Sequence, residues 1–231
     1  MYLIKSIQKG NLSFSGSIHH LLIASSLFSC LLLLIRVCYT HSLTYCFLPW
    51  NLFLAFIPYW ITWWIIKNPS VISNKWKRRA ALAAWLLFVP NSFYIITDLF
   101  HLIDINTAPK WFDLLMIFSF AWNGIICGII SLRRVELILE LLHGTRYSFI
   151  LVTGVMWLNA LGIYIGRYLR FNSWDIISNP FSLSGEIVDM IIHPFDNFYA
   201  WGMTWGYATF ITFLYLMIKK LSEFFGGTIR N

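Results

Sequence analysis

The chain has 231 residues, of which 58% are hydrophobic, 19% aromatic and only 12% charged, and its mean hydropathy is +0.67. Soluble domains carry about 25% charged residues, so an ordinary soluble domain is excluded and the length suits one membrane domain with short loops. The formal net charge of +7 comes from bases spread over short polar segments, which points to membrane topology rather than to nucleic acid.

A helical span needs about 20 mostly apolar residues, and six runs qualify: 20–39, 47–66, 80–100, 111–132, 147–169 and 197–218. Lys5 and Lys9 followed by an apolar run resemble the start of a signal peptide. No small-residue cleavage site follows, so the first run reads as an uncleaved span. The expected architecture is an all-α membrane protein, a bundle of six transmembrane helices, with a cytoplasmic tail at 1–19, a membrane domain over 20–218 and a second cytoplasmic tail at 219–231. Thirteen of the 17 Lys and Arg fall on one side of these spans, and Arg36, Lys110, Arg167 and Arg170 fall on the other. Positive charge stays cytoplasmic, so both termini are expected on the cytoplasmic side of the membrane.

The first span and the loop after it hold Cys30, Cys38 and Cys46; a Cys38–Cys46 disulfide can be drawn, but free packing cysteines are the stronger expectation. The third span carries Asn91, Tyr94, Asp98 and His101 at i, i+3, i+7 and i+10, one face of one α-helix. An ionisable residue within a span is costly and points to a functional site. Asp98 and His101 can form an acid–base pair or bind a divalent metal ion, although D-x-x-H is a weak motif. An Asp reaching water at the interface is the plain alternative. Pro90 is expected to open the helix backbone and Asn91 to satisfy carbonyls there.

Asp113 stands in the first turn of the fourth span, where a carboxylate complements the helix dipole and can cap N–H groups. It is also a third candidate metal ligand. Asn123 lies on the same stripe, and Gly124 and Gly128 make a face for close helix packing. The fifth span ends with Arg167 and Arg170, one turn apart and expected to point to similar sides of the helix, ahead of Trp174 and Asp175. The two Arg suit a phosphate clamp or a buried pair with Asp98 or Asp175, against simple snorkelling. Between the fifth and sixth spans, 186–192 reads as a short amphipathic segment on the outer interface, and His193 as exposed.

Four strings together resemble a known family: F-V-P-N-S-F-Y-I-I-T-D-L-F-H-L (88–102), W-F-D-L-L (111–115), F-A-W-N-G (120–124) and G-I-Y-I-G-R-Y-L-R-F-N-S-W-D (162–175). They are similar to the bacterial integral-membrane family called domain of unknown function 1361, with the likeness covering about 47–218. The resemblance implies a small bacterial multi-pass protein and supplies no activity.

Three functional readings remain open. One is an outward-facing polar pocket that binds or modifies an envelope lipid or lipid-linked anionic substrate. In it Asp98, His101 and Asp175 are the candidate catalytic groups, and Arg167, Arg170, Asn91, Tyr94, Asn123 and Trp174 the binding groups. Asp98, His101 and Asp113 would be the ligands if a divalent ion is present. The chain has no H-E-x-x-H, no G-x-S-x-G and no Cys–His nucleophile, so whether it is an enzyme stays open. The second reading is a non-catalytic membrane partner or immunity-type protein whose polar motifs hold the bundle together. The third is a small carrier for an ion or solute, disfavoured by the lack of visible repeats and of polar residues on the inner halves. Membrane lipids are the expected partners in every case.

Overall fold

A computed structural model describes the backbone of residues 2–102, 108–171 and 175–228, and side chains between 17 and 225 within those ranges, apart from 176 and 177. The described residues are helical, with no strand among them. In chain order the helices are α1 (Tyr2–Thr40), α2 (Leu48–Lys67), α3 (Pro69–Ser73), α4 (Lys75–Tyr94), a 3-10 segment (Ile95–Leu102), α5 (Lys110–His143), α6 (Thr145–Arg167), α7 (Asp175–Ser178), α8 (Pro180–Ile192) and α9 (Phe198–Thr228). Among the described residues four stretches are long and apolar enough to cross a membrane: Ser17–Thr40, Lys75–Leu102, Lys110–His143 and Thr145–Arg167.

A helix also stands at the second and sixth expected spans, α2 and α9. Both are rich in Trp and Tyr, including Trp60, Trp63 and Trp64 in α2 and Trp201, Trp205 and Tyr207 in α9. Such rings carry a polar atom and suit the headgroup level, so they lower the apolar character of a segment relative to an aliphatic one. Helix extends beyond the expected spans at several ends. α1 begins at Tyr2, inside the stretch expected as a tail, and α9 runs on to Thr228. The 34 residues of α5 make a rod about 51 Å long at ~1.5 Å per residue.

The chain divides into two compact units, Met1–Ile138 and Leu139–Asn231. In the first, α2 and α4 pack as an antiparallel pair joined by α3. Each contains an internal proline, Pro58 and Pro90, which removes one backbone hydrogen bond. The buried Ser92 hydroxyl donates to the Ala55 carbonyl at 2.8 Å, three residues before Pro58, so the two disrupted helices are tied to each other. Asn91 Nδ2 donates to the Phe88 carbonyl at 3.1 Å, a local contact with its own helix backbone. α5 meets this pair through its glycines. A Cβ on Gly124 would lie 2.5 Å from Ile95 Cγ2, and one on Gly128 2.7 Å from Phe93 Cζ. Only a hydrogen at those positions allows the observed approach.

In the second unit α6 packs on α9, with Trp157 and Trp205 edge-to-face at 4.2 Å. The short amphipathic segment expected ahead of the last span is α8, with Leu183 and Met190 buried on one face. Asp189 accepts from Asn197 Nδ2 at 3.2 Å and lies 3.0 Å from His193 Nδ1, and Trp201 Nε1 donates to the Met190 carbonyl at 2.9 Å. These contacts fix the turn from α8 into α9. His193 is exposed, as its sequence position before Pro194 suggests.

Candidate functional site

The third expected span does not stay α-helical. After Tyr94 it tightens into eight residues of 3-10 helix, a run longer than the three or four residues usual for that geometry. A 3-10 helix turns about 20° further per residue than an α-helix, which swings Asp98 by about 80° and His101 by about 140° from their α-helical directions. The four-residue stripe therefore splits. Asp98 and His101 eclipse each other at i, i+3, and leave the line of Asn91 and Tyr94, both half-buried. Asp98 is 1% exposed, and Asn51 Nδ2 of α2 donates to its carboxylate at 2.9 Å. His101 is half-buried, with Phe47 edge-on to its ring at 5.2 Å.

Asp113 is equally buried, and its partner is Arg36 of α1. Arg36 Nε donates to Oδ1 at 2.7 Å and Nη2 to Oδ2 at 3.3 Å, a forked pair with both side chains out of solvent. The guanidinium lies over the Tyr45 ring at 4.3 Å, and the Tyr45 hydroxyl donates to the His101 carbonyl at 3.0 Å. Contacts thus run from Asp113 through Arg36 and Tyr45 to the 3-10 segment holding Asp98, and on to Asn51. One polar cluster in the first unit joins α1, α2, the 3-10 segment and α5.

Sequence reasoning placed Arg36 only as an outer-side base and passed over Tyr45 and Asn51. The available signal was an Arg inside Leu34-Ile35-Arg36-Val37 and an Asn inside Trp50-Asn51-Leu52, polar residues within apolar runs. Asn123 lies deeper on α5 and faces α1 as Asp113 does. It donates to Ser29 Oγ at 3.1 Å and to the Ser119 carbonyl at 2.9 Å, which makes it an interhelical tie. Among the described residues no three of His, Cys, Asp and Glu gather as a metal-ligand group. The four cysteines are free, Cys38 and Cys46 included.

The remaining expected site residues belong to the second unit. Arg167 ends α6 and is half-buried, whereas Arg170 is exposed beyond the helix in left-handed backbone, φ 61°. The expectation that the two Arg share one helix face is corrected by that turn, because the helix stops between them. Asp175 accepts from Ser178 Oγ at 2.9 Å across the one-turn helix α7. Trp174 lies outside the described residues. Asn159 of α6, also passed over in the sequence, is fully buried with neither amide atom hydrogen-bonded to a described group.

Polar groups also occupy the other end of the first unit. Arg134, 21 residues or about 32 Å along α5 from Asp113, donates to the Tyr59 carbonyl at 3.2 Å and lies over the Tyr59 ring at 4.4 Å. The Tyr59 hydroxyl is 3.4 Å from His19 Nδ1, and the buried Glu136 pairs with Arg133. The helix halves expected on the inner side are therefore not purely apolar, which removes one of the objections raised above to a carrier.

Long apolar helices tied by buried polar contacts are the features of a helical membrane protein. Residues 50–218 match the model of the family described as "Protein of unknown function (DUF1361)", and the chain belongs to that family. No curated protein and no solved structure matches the chain.

Proposed function

We propose that this is a six-span protein of the bacterial cytoplasmic membrane, both termini inside, whose first unit carries an outward-facing polar site for an envelope lipid or lipid-linked anionic substrate. The observation that carries the reading is Asp98: a carboxylate 1% exposed, in an unusually long 3-10 turn, held by Asn51 and eclipsed by His101. Keeping a carboxylate out of water costs several kcal/mol unless it is compensated, and a span does not need one in order to fold. In this reading Asp98 takes a proton from a substrate hydroxyl or water, and His101 orients it. The Arg36–Asp113 pair and Tyr45 hold the 3-10 segment in place. Arg167 and Arg170, on the outer side by the charge pattern, meet lipid phosphates at headgroup level.

A second reading has its own support. Asp98 and Asp113 each have a polar partner on another helix, the pattern of an interhelical lock in a non-catalytic membrane partner. Asp98→Asn separates the two, since an amide still accepts from Asn51. Lipid and metal co-purified with wild type and variant are compared by mass spectrometry, together with the melting temperature. Loss of a bound lipid at unchanged melting supports the site. Identical loads overturn it, and identical loads with lowered melting support the lock.

A further inference from the structure

The turn between α2 and α4 is strongly basic. Residues 67–79 hold Lys67, Lys75, Lys77, Arg78 and Arg79 and no acid, and the first acidic residue of the whole chain is Asp98. Among the described residues none of these five bases has an acidic partner. Lys67 Nζ lies 3.9 Å from the Trp63 ring centroid, Arg79 lies 5.7 Å from that of Trp76, and Arg78 Nη1 donates to the Ile72 carbonyl.

The turn is built, not loose. Val71 and Ile72 of α3 are buried, and Asn74 caps α4 by accepting from the N–H groups of Trp76 at 3.0 Å and Lys77 at 3.1 Å. Those N–H groups are thereby occupied, so an anion at this turn would be held by side chains. Lys67, Lys75, Lys77 and Arg79 are exposed, and so are Trp63, Trp64 and Trp76, the last at 77%. Bases set among exposed Trp at the end of a helical pair match a phospholipid in both of its parts. The ammonium and guanidinium groups meet the headgroup phosphate, and the indoles sit at the level of the glycerol and upper chains.

We propose that the 67–79 turn is a binding site for anionic phospholipid of the inner leaflet, with Lys75, Lys77 and Arg79 holding the headgroup and Trp63 and Trp76 flanking it. The inner-leaflet part rests on the charge-derived orientation proposed above. The phospholipid part does not.

The test uses the purified full chain in neutral detergent, titrated with dansyl-phosphatidylglycerol or dansyl-phosphatidylcholine and read by energy transfer from Trp. The variants are a triple K75Q/K77Q/R79Q and, as a control on the C-terminal bases, K219Q/K220Q. All five side chains are outside the buried core, so folding is retained. Each base near an anionic lipid surface contributes about fivefold in affinity. The triple variant is therefore expected to weaken the anionic lipid about a hundredfold, with little change for the zwitterionic one and little change in the control. Equal binding of the two lipids by wild type, or an equal loss in the control, overturns the site. Orientation is read separately, by an impermeant maleimide on Ser73→Cys in a background without the four native cysteines. Labelling only after permeabilisation supports the inner leaflet, and labelling of intact cells overturns that assignment.

Discussion

Removing one member of the Arg36–Asp113 pair is expected to be far worse than removing both. The contact distances of 2.7 and 3.3 Å and the near-zero exposure define a forked buried pair. At 2.7 Å and an effective permittivity of about 20, the gross attraction is about 6 kcal/mol. Desolvation of two ions, several kcal/mol each, opposes it, so the net value of the pair is small. Arg36→Met leaves Asp113 buried without its counter-charge, a cost of about 3–5 kcal/mol. At 2–4 °C per kcal/mol for a chain of this size, melting should fall by about 6–20 °C. Asp113→Leu should do similar harm. The double variant, with two apolar side chains facing each other, should recover most of the loss. The assay is a double-mutant cycle on thermal unfolding in detergent or nanodiscs. Single variants that melt like wild type, or a double whose loss equals the sum of the singles, would refute the reasoning.

Two further outcomes follow from the geometry. Gly128→Ala places a Cβ 2.7 Å from Phe93 Cζ and should cost about 1–3 kcal/mol, whereas Gly154→Ala, with nothing within 4 Å, should be neutral or stabilise by up to about 1 kcal/mol; equal melting shifts would contradict the packing described. Asp189 is held below the ordinary carboxylate range by the Asn197 hydrogen bond and then by His193. A depressed carboxylate stabilises the fold above its unfolded value and loses that contribution as pH falls through the folded one. The melting advantage of wild type over Asp189→Leu should therefore shrink from about pH 5 to about pH 3, and an advantage that grows on acidification would be wrong in sign.

Helix positions were readable because each span must satisfy its own backbone hydrogen bonds in an apolar medium, so a run of about 20 apolar residues is a strong local signal. The Gly124 and Gly128 face was readable for a related reason, since small residues four apart mark where another helix comes close. The Asp98 face was misjudged. Hydropathy does not distinguish α from 3-10 geometry, and the change of pitch after Tyr94 rotates Asp98 and His101 away from Asn91 and Tyr94. The shared face assigned to Arg167 and Arg170 failed in the same way, at a helix end that composition does not mark.

By itself the sequence determined the apolar character, the helical class, the positions of the long helices and the family, because these follow from local composition and from strings of neighbouring residues. Only the tertiary structure decided partners. Arg36 meets Asp113 across 77 positions of chain, Asn51 meets Asp98 across 47, and Tyr45 reaches the His101 carbonyl across 56. A buried charge must find compensation, but its own neighbours in sequence do not say where. That is settled by which helices pack together and by the pitch at which each presents its polar side chains.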